Sequence, residues 1–129
     1  FEIGKANVVT EYESKIVILN FGALLEEAYT VAKDLQITLI DMRFVKPLDE
    51  ELLKKYLTKA DMFVSIEDGS IMGGAGSAVQ EFCSKGNIEI KSVLFGIPDE
   101  FIVHASRKEM LEEAGLTSKK IKSKIEDLL

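Results

Sequence analysis

The chain has 129 residues, a mass of 14.3 kDa and a formal charge of -6. Its 47% apolar residues suffice for one buried core, which excludes intrinsic disorder and makes a disulfide or metal staple unnecessary. The acidic balance argues against a nucleic-acid or anionic-membrane partner, and the apolar runs are too short to span a bilayer. The chain begins at Phe1 without a signal-peptide pattern, so we expect a piece of a longer protein.

The first half of the chain alternates strand and helix patterns. Asn7–Val9 predicts a short edge strand, and the consecutive apolar residues Ile16–Leu19 predict a strand buried on both faces. Apolar residues then recur at spacings of four, three and four over Leu24–Leu35, which predicts a helix. Ile37–Met42 predicts a second buried strand. A helix should follow, with Asp49 as its N-cap and an apolar stripe formed by Leu52, Leu53, Tyr56 and Leu57.

The second half continues the alternation. Met62–Ile66 predicts a third buried strand, and a helix follows from Ala75 until Gly86 stops it. Ile88–Phe95 predicts a fourth strand, whose alternating apolar and charged start is typical of a sheet edge. Two further helices are predicted, one capped by Ser106 and ending at Gly115, the other capped by Ser118.

This alternation predicts a single α/β domain over residues 1–129. Buried strands joined by helices indicate three αβα layers around a mostly parallel sheet. The chain contains no internal repeat, and residues 1–6 fit the end of an interdomain linker.

Polar residues follow the predicted strands at their carboxyl ends, where parallel sheets bind ligands. These residues are Asn20, Asp41, Arg43, Glu67 and Asp68. Adjacent carboxylates such as Glu67 and Asp68 usually point apart, which disfavours a catalytic acid–base pair.

The loop Gly73–Gly76 opens a predicted helix, whose amides could bind phosphate. Its spacing matches neither common phosphate-binding fingerprint, and two nearby carboxylates would repel an anion. We therefore expect that its small residues let the helix pack tightly on the strand. The apolar loop residues Ile71 and Met72 are an alternative signal, because a partner surface could bury them.

The single cysteine and the single histidine do not indicate a catalytic or metal-binding site. Cys83 lies in the apolar stripe of its helix, which predicts a buried structural thiol. We expect a partly buried, satisfied side chain at His104, because it follows three apolar residues. One residue of each type cannot form a zinc site without carboxylates.

Four segments together resemble one family. They are Asp41–Asp49 (DMRFVKPLD), Ile66–Val79 (IEDGSIMGGAGSAV), Gly96–Ile102 with His104, and Glu113–Leu116, and the opening Ile3–Lys5 also fits. In this order they resemble the C-terminal, transketolase-type domain of the 1-deoxy-D-xylulose-5-phosphate synthase family. Ala6, Asp68 and Ala105 depart mildly from the pattern that the family leads us to expect.

The resemblance implies a fold and a parent enzyme. The fold would be a mixed five-stranded sheet with one antiparallel edge strand. The parent would be a homodimeric transferase that uses thiamine diphosphate and magnesium to condense pyruvate with D-glyceraldehyde 3-phosphate, in isoprenoid and thiamine biosynthesis. It would be cytoplasmic, or plastidial in a plastid-bearing eukaryote. The family's Gly-Asp-Gly cofactor motif is absent here, so no catalytic, cofactor or metal residue is assigned.

On this basis the chain is expected to be structural: it would support the cofactor domains and extend the dimer interface. The expected interface residues are Glu67, Asp68, Ser70, Ile71, Met72, Gly73, Gly74 and His104. Three alternatives remain open. They are the matching domain of a sugar transketolase, that of a 2-oxo acid dehydrogenase β subunit, and a free-standing α/β ligand-binding module.

Overall fold

A mixed sheet of five strands organises the domain. The computed structural model describes residues 5–22, 24–43, 48–67, 74–96 and 117–128. The strands lie in the order β1-β3-β2-β4-β5, and only β1 runs antiparallel to its neighbour. The bounds are β1 Asn7–Thr10, β2 Ile16–Phe21, α1 Leu25–Leu35, β3 Thr38–Asp41, α2 Glu50–Leu57, β4 Met62–Glu67, α3 Ala75–Lys85, β5 Lys91–Gly96 and α4 Ser118–Asp127.

The strands β2 and β4 form the centre of the sheet. All six residues of β2 are buried, as are the first five of β4. Successive side chains of a strand point to opposite faces, so an unbroken apolar run needs a cover on both sides. Helices α1 and α4 supply one cover, and helices α2 and α3 supply the other. This confirms the predicted three-layer architecture.

The antiparallel edge strand is also confirmed. Asn7 of β1 lies opposite Asp41 of β3, and the register slips between Val8 and Thr10. The Thr10 hydroxyl bridges this irregularity, because Oγ1 donates to the Ile37 carbonyl (2.8 Å) and accepts from the Leu39 amide (3.0 Å).

The prediction for the last strand was wrong at its start. Residues 88–90 are not part of β5, which begins at Lys91. Asn87 adopts a left-handed backbone conformation (φ 56°), and the Ile88 amide donates to the Cys83 carbonyl at 2.8 Å. The segment is therefore tied back to the end of α3, and Ile88 packs on the α2–α3 core without strand pairing.

The cap of the last helix was also predicted wrongly. The N-cap is Thr117 and not Ser118, because the Thr117 hydroxyl accepts from the Lys120 amide at 3.3 Å. The helix predicted from Ser106 to Gly115 lies outside the described residues. In the described part of the chain, no helix is long and apolar enough to cross a membrane.

Asp49 connects the start of α2 to the chain that precedes β1. Its carboxylate accepts from the Leu52 amide (3.2 Å), which confirms the predicted N-cap, and from the Ala6 amide (2.9 Å). Replacement by alanine should lower the free energy of unfolding by about 1–2 kcal/mol, because both amides lose their acceptor. Urea unfolding followed by circular dichroism measures this.

Two variants control the Asp49→Ala experiment. Asp49→Asn keeps one acceptor oxygen and should lose less stability than Asp49→Ala. Glu50→Ala removes a neighbouring exposed carboxylate and should change stability by less than ~0.5 kcal/mol. Equal unfolding midpoints for Asp49→Ala and Glu50→Ala would show that the two hydrogen bonds contribute nothing.

Candidate interface at the carboxyl edge of the sheet

The carboxyl ends of the parallel strands bring the predicted polar residues together. In the sheet register Asn20 lies beside Asp41 of β3 and beside Ile66 of β4. One position further, Phe21 lies beside Glu67, which in turn lies beside Gly96. The carboxyl edge therefore carries the side-chain amide of Asn20 and the carboxylates of Asp41 and Glu67 at neighbouring positions of the sheet.

Asn20 is fully buried at the end of the central strand. Its amide nitrogen donates to the Gly22 carbonyl (3.2 Å) and to Asp41 Oδ1 (3.4 Å). These two acceptors fix the orientation of the side-chain amide. Its Oδ1 has no hydrogen-bond partner in the described part of the chain, and a buried oxygen left in this state costs stability.

Asp41 also connects this edge to Arg43. Arg43 Nε lies 3.9 Å from Asp41 Oδ2, and both side chains are partly exposed. Arg43 adopts a left-handed backbone conformation (φ 62°), which non-glycine residues rarely adopt. The pair is worth little by itself, because water screens an ion pair at this distance.

Glu67 holds the beginning of helix α3. The N-cap is Gly74 (φ 77°), which has no side chain, and the first turn contains no acidic residue. Glu67 supplies the missing acceptor from the end of β4, because its Oε2 accepts from the Gly76 amide at 3.1 Å. This carboxylate occupies a position that a phosphate would need, in agreement with the prediction that the loop disfavours anions.

Gly76 allows α3 to lie close to the sheet. A Cβ atom at this position would lie 2.5 Å from Ser65 Oγ and 2.6 Å from Leu94 Cδ2. A side chain at Gly76 would therefore require Ser65 or Leu94 to shift. This confirms the tight-packing interpretation for Gly76, whereas Gly74 has open space around it and a positive φ. Ser65 is fully buried, and its hydroxyl has no hydrogen-bond partner among the residues described.

Two of the predicted interface residues lie in the described part of the chain: Gly74 is the N-cap of α3, and Glu67 accepts from the Gly76 amide in its first turn. The other six lie outside the described residues: Asp68, Ser70, Ile71, Met72, Gly73 and His104. The predicted interface as a whole therefore stays a prediction.

The described residues contain no group of three or more His, Cys, Asp or Glu side chains that could hold a metal ion. Cys83 is buried as predicted, and this burial raises the pKa of its thiol. A raised pKa lowers the thiolate fraction, which suits a structural cysteine rather than a nucleophile.

Sequence patterns did not find two features of this edge. The hydrogen bond between Asn20 and Asp41 joins residues 21 positions apart, and the only signal was a polar residue after an apolar run. The contact between Ser65 and Gly76 needs the packing of α3 on β4, and Ser65 resembles any other small residue in a strand.

The chain matches the family model described as "Transketolase, C-terminal domain" over residues 4–121. The chain belongs to the transketolase C-terminal domain family. It is 48% identical to a 1-deoxy-D-xylulose-5-phosphate synthase of Pseudoalteromonas translucida, covering 89% of this chain and 18% of that protein. A synthase of the same name from Pseudomonas fluorescens is 46% identical, covering 99% of this chain and 20% of that protein.

A solved structure also resembles this member of the transketolase C-terminal domain family. It is titled "Split gene transketolase, inactive beta4 tetramer" and is 30% identical, with a TM-score of 0.84 over 98% of this chain and 43% of that one. The predicted fold and family resemblance are thus confirmed. The chain spans only about a fifth of the synthases that it matches.

The tight contact under α3 predicts that Gly76→Ala destabilises the domain. The added methyl group overlaps Ser65 Oγ, and we expect a loss of about 1–3 kcal/mol in the free energy of unfolding. Gly86→Ala is the matched control, because its φ is -87° and the nearest atom lies 3.4 Å away. Thermal and urea unfolding measure both variants.

A second substitution tests the cause of that loss. Ser65→Ala removes the overlapping hydroxyl, so it should restore part of the stability of Gly76→Ala. If Gly76→Ala and Gly86→Ala unfold alike, the close approach of α3 to β4 imposes no constraint.

The Glu67 cap predicts different effects for two substitutions. Glu67→Ala leaves the Gly76 amide without its acceptor and should cost about 1 kcal/mol in unfolding free energy. Glu67→Gln keeps an acceptor oxygen and should cost less. Urea midpoints compare the two, and a Glu67→Ala protein as stable as the parent chain would exclude the capping role.

Proposed function

We propose that this chain is the C-terminal domain of a longer 1-deoxy-D-xylulose-5-phosphate synthase. The observation that carries the proposal is the extent of the similarity. It runs over 89% and 99% of this chain at 48% and 46% identity, but over 18% and 20% of the two synthases. A domain that is similar along its whole length to one part of a larger enzyme is best explained as that part.

The parent would be a transketolase-type transferase that forms 1-deoxy-D-xylulose 5-phosphate and CO2 from pyruvate and D-glyceraldehyde 3-phosphate. Thiamine diphosphate with Mg²⁺ would supply the electron sink for this chemistry. We further propose a homodimer in the cytoplasm, or in the plastid if the source is a plastid-bearing eukaryote.

The described residues do not fit the cofactor. They offer no cluster of metal ligands, and the Gly76 amide at the start of α3 is already paired with Glu67. No catalytic step is therefore assigned to this chain. Binding of the cofactor by domains that precede this one stays part of the proposal.

The proposed role of the chain is to support those domains and a second copy through its carboxyl edge. The partly exposed pair Asp41–Arg43 supports an interface there, because a partner surface that excludes water would strengthen this ion pair. The loop from Glu67 to Gly74, with Ile71 and Met72, and His104 would extend that surface. Residues 1–6 would end the linker from the preceding domain.

A sugar transketolase domain is the second candidate, favoured by the structural likeness to the split-gene transketolase. Its 30% identity is well below the 46–48% of the two synthases. The fold alone does not distinguish the two, because related domains share it.

The reading frame upstream of Phe1 provides the direct test. We expect it to encode several hundred further residues with a Gly-Asp-Gly motif. The longer protein should release CO2 from pyruvate only when D-glyceraldehyde 3-phosphate, thiamine diphosphate and Mg²⁺ are present. The 129-residue chain alone, titrated calorimetrically with the cofactor and Mg²⁺, should give no binding heat.

Other outcomes would contradict the proposal. A start codon a few residues upstream would favour a free-standing module, and transfer of a two-carbon unit between sugar phosphates would favour a transketolase. Micromolar binding of thiamine diphosphate by the 129-residue chain would refute its purely structural role.

A further inference from the structure

A groove of about 650 Å³ lies at the amino edge of the sheet, opposite the candidate interface. It is formed by the turn between β1 and β2 and by the last turn of α2. Its volume falls in the range of small-molecule sites. The proposed synthase activity assigns nothing to this edge.

Hydrogen bonds between elements fix the walls of the groove. Thr38 Oγ1 on β3 donates to the Tyr12 carbonyl (3.0 Å) and accepts from the Tyr12 amide (3.1 Å), which holds the turn against the sheet. The Tyr56 hydroxyl on α2 donates to the Glu11 carboxylate. That hydrogen bond, followed by burial and the negative charge of Glu11, raises the pKa of Tyr56 to about 12. The groove is therefore largely pre-formed, which lowers the entropic cost of binding.

Three lysines line the groove: Lys15, Lys55 and Lys59. Among the residues that the structure describes, none of the three forms an ion pair. The Lys55 ammonium lies 5.4 Å from the centre of the Tyr56 ring. Two carboxylates, Glu11 and Glu13, also line the groove, and that of Glu11 accepts a hydrogen bond from Tyr56.

The groove thus combines an excess of positive charge with an aromatic surface. Three ammonium groups line the groove with two carboxylates, which leaves one net positive charge there in a chain whose net charge is -6. The Tyr12 side chain is 38% exposed and offers a ring face. Ammonium groups bind phosphate as point charges, and a tyrosine face stacks on a planar ring.

We propose that this groove binds a small organic phosphate that carries a planar ring, of the nucleotide class. The phosphates would lie among Lys15, Lys55 and Lys59, and the ring would stack on Tyr12. The site lies apart from the carboxyl edge and does not rest on the proposed synthase function.

Titration of the 129-residue chain with ATP tests the proposal, followed by NMR amide shifts and calorimetry. We expect saturable shifts confined to residues 11–15 and 55–59, and binding that weakens as salt rises. Adenosine has the planar ring without the phosphates, and pyrophosphate has phosphates without the ring. Each should therefore bind at least about tenfold more weakly than ATP.

A matched pair of double variants tests whether ATP binding depends on the groove lysines or only on the net charge of the chain. The double variant Lys55→Gln with Lys59→Gln should bind ATP roughly tenfold more weakly, since each exposed ammonium contributes modestly. The control is Lys119→Gln with Lys124→Gln, which makes the same charge change on α4, across the sheet from α2. It should bind ATP as the parent chain does. Tyr12→Ala should weaken ATP binding but leave pyrophosphate binding unchanged.

Three results would overturn the proposal. They are an absence of shifts up to millimolar ATP, an equal loss of binding in both lysine double variants, and shifts centred on the carboxyl edge. Circular dichroism of each variant confirms that it is folded before titration.

Discussion

The parallel pair β2 and β4 is buried on both faces, and the other described elements cover it or extend it. Val17 and Phe63 face one helix layer, while Ile18 and Val64 face the other. Each such buried side chain contributes about 1.5–3 kcal/mol relative to exposure. Because β2, β3, β4 and β5 run parallel, each connection between them must cross over, here as a helix, and these helices contribute to the αβα layers.

The same burial limits what can stand at the carboxyl edge. Where β4 ends, α3 turns back onto it so closely that Gly76 allows no side chain above Ser65. A glycine-rich start gives the helix no capping side chain, and Glu67 supplies the acceptor from the strand. The close approach thus explains Gly76, and the missing cap explains the role of Glu67, two features that resemble a phosphate-binding motif in the sequence.

The fold could be predicted from the sequence because its determinants are local. Unbroken apolar runs mark β2, β3 and β4, and helical spacing marks α1 and α2. The errors lie where a tertiary contact overrides the pattern. Ile88 has the alternation of a strand but is tied to Cys83 by a backbone hydrogen bond. At the site, the pairing of Asn20 with Asp41 depends on sheet order, which local patterns do not encode.

The two edges of the sheet differ in how their charged side chains are paired. At the carboxyl edge, Glu67 and Asp41 both accept hydrogen bonds from groups of this chain. At the amino edge, hydrogen bonds hold the tyrosines in place while Lys15 and Lys59 keep their charge unpaired among the described residues. An ionic ligand can pair with unpaired charge in a pre-formed groove. Because the groove and the proposed interface lie at opposite edges of the sheet, a ligand and a protein partner would not compete for the same surface.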